Sequence, residues 1–197
     1  MRKKIYVIGD SHSFEFEGIP NCIICYIGPR TMHRIGRDGL SILDFRTFNI
    51  QESDVVVLVF GEIDVRCHIG KQRDEAKRDI DEIIDALIKN YFRSIMTNIS
   101  FYKNLSVFVY TVTPPRDYGD SLEFPIYGTI TDRICILKRL NEKLKKTAQE
   151  FNIEVIDVFD DFADLEGKLF PALSDGTVHI SSRCNQPIRK QIEKFIT

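Results

Sequence analysis

The chain has 197 residues, enough for one α/β domain that buries roughly 70% of its unfolded surface. A content of 43% hydrophobic and 28% charged residues excludes global disorder and a fibrous architecture. The net charge of −2, from 27 Lys+Arg against 29 Asp+Glu, excludes a strong field toward nucleic acid or anionic lipid.

Met1-Arg2-Lys3-Lys4 leads into an apolar run of only four residues, Ile5–Ile8, too short for the core of a secretory signal. No stretch approaches the ~20 apolar residues of a membrane span. A cytoplasmic protein without membrane attachment is expected. The first strand is read over Lys4–Ile8 and ends at Gly9. The second, Cys22–Ile27, follows Pro20-Asn21 and ends at Gly28-Pro29. Cys22 and Cys25 have CxxC spacing, but they lie inside this apolar run rather than at a helix start, so they read as small strand residues. The five cysteines leave at least one unpaired, which suits a reducing compartment. A weak helical segment follows Gly39.

The third strand is Asp54–Phe60, closed by Gly61. From Asp74 to Ser100, Ala76, Ile80, Ile83, Ile84, Leu87 and their successors fall at steps of three and four, the pattern of one continuous helix face. Leu105–Val112 is the fourth strand, ending in Pro114-Pro115. Ile134, Leu137, Leu140 and Leu144 mark a helix from about Thr131 to Gln149. Ile153–Phe159 is the fifth strand, and a last helix begins near Pro187. Near-continuous apolar strands suit a parallel sheet covered on both faces. The order predicts an α/β fold, a three-layer αβα sandwich around a five-stranded, mostly parallel, flavodoxin-like sheet, as one domain over 1–197.

In such sheets the site lies beyond the carboxyl ends of the strands. All four histidines fall in the loops expected there: His12 after strand one, His33 after strand two, His68 after strand three and His179 after strand five. Ser11 opens a helix directly after a strand, which suits either a nucleophile or a helix cap. His179, with Asp175 four residues upstream, can supply the base and the carboxylate that orients it.

Together these blocks resemble the SGNH (GDSL-type) hydrolase family over nearly the whole chain. Ile8-Gly9-Asp10-Ser11-His12-Ser13 matches its first block. Gly28 stands for the second, whose N–H helps form an oxyanion hole, with Gly36 as the alternative. Gly61-Glu62-Ile63-Asp64 occupies the place of the third block, usually Gly-x-Asn-Asp. Asp175-Gly176-Thr177-Val178-His179 is the last, one residue longer than the usual Asp-x-x-His. The resemblance implies Ser11, His179 and Asp175 as catalytic residues, with Gly28, Gly61 and Asp64 at the oxyanion or substrate, and Arg66 and Arg30 are further candidates there on their place after strands three and two. Ile63 replaces the family's amide donor, and Arg66, Arg30 or an N–H of the Gly61 loop could take over its contact.

The variant Phe60–His68 and the stretches Phe124-Pro125-x-x-Gly128-Thr129 and Leu140-Asn141-x-x-Leu144 resemble a subgroup found beside polysaccharide and surface-glycan genes. That implies an esterase or acyltransferase acting on an O-acyl sugar, O-acetyl above all. No cofactor or metal is implied, and the partner is a small-molecule or glycan ester. Arg30, Arg66 and Arg116 follow three different strands and suit either an acidic substrate or ion pairs with Glu62, Asp64 and Asp117. Two other readings stand beside this one. Asp10-x-His12 looks like the opening of a metallophosphoesterase, but the chain holds no Asn-His pair and only His179 beyond residue 68. The loss of the amide at Ile63 would also suit a glycan-binding relative with weakened catalysis.

Overall fold

The structure, a computed structural model, describes residues 3–117 and 124–196. Five parallel strands form one sheet: β1 (Ile5–Gly9), β2 (Cys22–Tyr26), β3 (Val55–Val59), β4 (Ser106–Tyr110) and β5 (Glu154–Ile156). Their order is β2-β1-β3-β4-β5. Ile5 pairs with both Cys22 and Val55, Val55 with Ser106, and Phe108 with Glu154. The helices in chain order are α1 (Met32–Asp38), α2 (Gly70–Asp74), α3 (Ile80–Ile99), α4 (Ile130–Glu150), α5 (Phe159–Phe162) and α6 (Gln186–Ile196).

Successive strand side chains point to opposite faces. Tyr6, Ile8, Val56, Leu58, Val107 and Val109 pack with residues of α1, α3 and α4. Ile5, Val7, Val57, Val59 and Tyr110 pack instead with Phe16, Phe162, Ile188 and Ile192, from the 3₁₀ turn Ser11–Phe16, α5 and α6. Three layers result, with β1 and β3 at the centre. Three apolar runs outlast the ladders that they predict: Phe60, Val112 and Val158 are buried beyond the last paired residue of their strands. The edge strand β2 departs from the expectation of cover on both faces. It has one neighbour, and Ile23 and Tyr26 are exposed.

Two short 3₁₀ turns, Gly39–Ser41 and Phe45–Phe48, follow Gly39 as the weak helical segment expected there. An unexpected helix precedes that glycine: the Thr31 hydroxyl accepts the Arg34 N–H at 3.0 Å at its start, and Gly39 ends α1 with φ +57°. The helix expected from Asp74 to Ser100 is two elements. A π-helical turn, Asp64–Ile69, leads into α2, and the chain breaks at Lys77, whose φ is +53°. The Asp79 carboxylate then accepts the N–H groups of Asp81 and Glu82 and restarts the path as α3. Of the apolar positions in that pattern only Ala76 falls before α3, and it is exposed, so the buried face belongs to α3 alone, while the cap at Asp79 is a separate, local signal.

One buried amide shapes the edge at the carboxyl ends of the strands. Asn141 of α4 accepts the Val112 N–H and donates to the Val112 carbonyl, both at 2.8 Å. It extends β4 by one residue's worth of hydrogen bonds and fixes where the loop after that strand departs. Among the described residues, no helix is long and apolar enough to cross a membrane.

Candidate active site

Ser11 is the first residue of the turn that follows β1. The Asp10 carboxylate caps this turn by accepting the His12 N–H at 2.9 Å, and the Ser13 hydroxyl donates to the Asp10 carbonyl at 2.8 Å. Asp10 is buried, which pushes its carboxyl up to about 7 despite the neighbouring His12 and the N–H bond. Among the described residues, no acceptor takes the Ser11 N–H.

His179 reaches this turn from the loop after β5. Its Nε2 stands 2.9 Å from Ser11 Oγ. The longer Asp-to-His spacing is accommodated by a closed turn: Gly176 adopts φ +99°, and the Asp175 N–H donates to the His179 carbonyl at 3.1 Å. Thr177 fills the centre of that turn. Its hydroxyl donates to Asp175 Oδ1 at 2.6 Å and lies 2.8 Å from His179 Nδ1, while Asp175 Oδ2 lies 3.2 Å from the same nitrogen. With its proton committed to Asp175, the Thr177 oxygen accepts from Nδ1–H. The network thereby assigns the proton to Nδ1 and leaves Nε2 as the acceptor facing Ser11. Burial first, then the charge of His12, lowers the His179 pKa, against the opposing pull of Asp175 and Glu15. For Asp175, burial pushes up, but hydrogen bonds from Thr177 and the nearby His179 bring it below the ordinary carboxylate value.

Glu15, a buried residue missed in the sequence, supports this loop together with His12. Glu15 Oε1 lies 2.7 Å from His12 Nδ1 and also accepts the N–H of Ile180, the residue after His179, at 3.1 Å. Its Oε2 accepts the Tyr110 hydroxyl at 2.9 Å. The His12 ring meets the His179 ring edge-on with centroids 4.7 Å apart. Burial lowers the His12 pKa, but the charge and hydrogen bond of Glu15, with Asp10 and Glu62, raise it to about 9. Ser11, His12 and Glu15 therefore lie on one turn, the last two holding what the first must meet. A sequence signal existed only in hindsight: an i, i+3 His–Glu pair on the turn that carries the serine.

The arginines are not a common anion cradle. Arg116 Nη1 donates to Ser174 Oγ at 2.9 Å and to the Thr177 carbonyl at 3.1 Å, tying the loop after β4 to the loop of His179. Asp117, expected as its partner, pairs with the buried Arg133 at 2.7 Å. Arg66 is buried rather than in an open loop, and its guanidinium meets both oxygens of Glu62, at 2.9 and 3.0 Å. Arg30 Nε donates to the Ile27 carbonyl at 3.2 Å.

Asp64, expected at the oxyanion or substrate, is fully buried and accepts the N–H groups of Met32 and His33 at 2.7 and 3.1 Å. It holds the start of α1 against the third block. Burial raises its pKa to about 7, those two N–H groups pulling the other way. Gly36 also has a packing role: a Cβ there would meet Asn90 Cβ at 2.8 Å, where α1 crosses α3. Gly28 and Gly61 have φ of +84° and +123°. Ile63 is buried, and its side chain offers no donor. Cys22 and Cys25 are free thiols on β2, and burial pushes Cys22 up to about 12, as for an inert thiol. Among the described residues, no group of three His, Cys, Asp or Glu is placed to hold a metal ion.

No protein-family model and no curated protein matches the chain. Solved structures match its fold. A GDSL-like lipase from Bacteroides thetaiotaomicron aligns with a TM-score of 0.68 over 98% of this chain and 87% of its own, at 14% identity. A carbohydrate acetylesterase from Sinorhizobium meliloti gives 0.59 over 98% and 100%, also at 14% identity. A member of the lipolytic G-D-S-L family from Veillonella parvula gives 0.57 over 98% and 97%, at 16% identity.

Proposed function

We propose that the chain is a serine esterase of the SGNH (GDSL) type that hydrolyses or transfers an O-acyl group, O-acetyl above all, on a carbohydrate. The observation that carries the reading is the line from Ser11 Oγ through His179 to Thr177 and Asp175. A hydroxyl 2.9 Å from an unprotonated imidazole nitrogen is within reach for general-base activation. The sugar specificity is supported by the third-block resemblance and by likeness in fold to a carbohydrate acetylesterase.

In this reading His179 Nε2 takes the Ser11 proton as Oγ bonds to the acyl carbon. The carbonyl π pair moves onto oxygen, and the Ser11 N–H, with those of Gly28 and Gly61, stabilises that oxyanion. Collapse expels the sugar oxygen, which receives the proton from His179. Water, or a second sugar hydroxyl in transfer, then attacks the acyl-serine with His179 again as base, and Ser11 is regenerated. Asp175 and Thr177 hold the imidazolium that forms in each half.

Labelling with a fluorophosphonate probe tests the assignment. The wild type should label and Ser11→Ala should not, with acetyl-ester turnover lost together with labelling and unaffected by chelator in the wild type. An unlabelled but folded wild type would favour the glycan-binding reading. Loss of activity to chelator would favour the two-metal one.

A further inference from the structure

A second concavity, of about 340 Å³, lies between α1, the π-helical turn with α2, and α3. That volume falls within the range of small-molecule sites. Its upper wall is His33 and His68, whose rings stack with centroids 3.9 Å apart at 29°. Both rings belong to segments that follow β2 and β3, so this end of the cavity lies on the same edge of the sheet as Ser11. The wall is anchored there by Asp64, which accepts the His33 N–H.

The charge of the cavity is one-sided. Arg37, Arg78 and Arg93 line it, and no acidic residue does. Arg37 is paired with Asp38 outside the cavity. The other two have neutral partners: Arg78 donates to the Gln72 side chain and Arg93 to the Gly36 carbonyl. Among the described residues, neither has a carboxylate within 4.0 Å. The imidazoles add no competing charge at neutral pH: burial lowers both, His68 to about 4. They offer instead a flat polar surface, while Ala86 and Leu87 give the cavity an apolar side. Two guanidiniums without acids, a stacked ring wall and an apolar side suit a ring that bears an oxyanion.

We propose that this cavity binds an anionic sugar unit, its carboxylate or phosphate held by Arg78 and Arg93 and its ring against His33 and His68. For the esterase reading, on which this last step rests, the cavity selects acylated glycans that carry an acidic residue beside the ester.

The test separates the cavity from the chemistry by using Ser11→Ala protein. Glucuronate, glucose 1-phosphate and neutral glucose are titrated against it by calorimetry and by NMR. Saturable binding of glucuronate, glucose 1-phosphate or both is expected, with none of glucose, and whichever binds better identifies the anion. Arg78→Gln/Arg93→Gln should weaken that binding by about tenfold or more. Absence of saturation by either anion, or equal binding in the double variant, would overturn the proposal whatever the enzyme's activity. In protein with Ser11 intact, the double variant should raise KM for an acetylated uronide and leave a small neutral acetyl ester unaffected. Equal KM for the uronide would refute the substrate role while leaving the binding site standing.

Discussion

Glu15→Gln tests the buried support beneath His179. Glu15 is 1% exposed and contributes to the elevated pKa of His12, about 9 in the fold against about 6.5 unfolded. A group raised by folding stabilises fully below its unfolded pKa, and that stability is lost as pH rises through its folded pKa. The gap corresponds to about 3 kcal/mol, of which about 2 kcal/mol disappears between about pH 7 and about pH 8.5. Asp10 and Asp64, both raised to about 7, act in the same direction but mainly below that window. Urea unfolding of the wild type should therefore show stability falling across the window by about 1.4 kcal/mol per pH unit at most. Glutamine keeps an acceptor for the Ile180 N–H but no charge for His12. The variant should be less stable near neutrality by about 1–3 kcal/mol, with a much flatter slope. It should still label at Ser11 if folded. A variant with the wild-type slope would refute the claim that Glu15 holds the His12 proton.

Asp175→Asn and Thr177→Val share one imidazole nitrogen. Each should lower kcat by about 10²-fold with little change in KM, and the double variant should lose less than the product, measured on a small acetyl ester. An Asp175→Asn enzyme with wild-type kcat would leave Thr177 as the sole support of His179. Arg66→Ala removes the partner of Glu62 and should cost stability, about 2–4 °C in melting temperature for each kcal/mol lost. A fall of about 10²–10³ in kcat on a small neutral ester, without a change in melting temperature, would instead place Arg66 at the oxyanion. The lowered His179 pKa predicts that kcat/KM falls on the acid side with a midpoint below about 6.5, since protonation removes the base. A midpoint at or above that value would contradict the influence of burial and His12.

Strand order and helix order were legible because they depend on apolar periodicity, which repeats over many residues. The block at Ser11 was legible because it falls just beyond the first run, and the block at His179 because an Asp and a His share one short stretch of the long segment after the last run. What escaped depends on pairings distant in sequence. Glu15 meets Ile180 and Tyr110, and Arg116 meets Thr177, through loops that only the finished sheet brings together. The break around Lys77 escaped for the opposite reason: it is local, the five residues 75–79, and it falls inside a spacing that was read as continuous. Asp64 shows the limit of reading a motif by analogy. Its position in the block was visible, but its bonds to Met32 and His33 depend on where α1 begins, and no helix was expected before Gly39.

Ile63 changes what the oxyanion site can be made of. With a buried hydrocarbon where an amide would donate, and with Arg66 held by Glu62, the donors left in the proposed site are backbone N–H groups. Backbone donors cannot be adjusted by a rotamer change, so their aim depends on the path of the chain. At Gly61 that path has φ +123°, and a Cβ would meet Val112 Cγ2 at 2.5 Å and Met32 Cε at 2.9 Å. Val112 is fixed by Asn141, and the start of α1 at Met32 is fixed by Asp64. The buried amide and the buried acid thus brace the same glycine from two sides. Residues with no contact to substrate can in this way set the geometry of a site built from main chain.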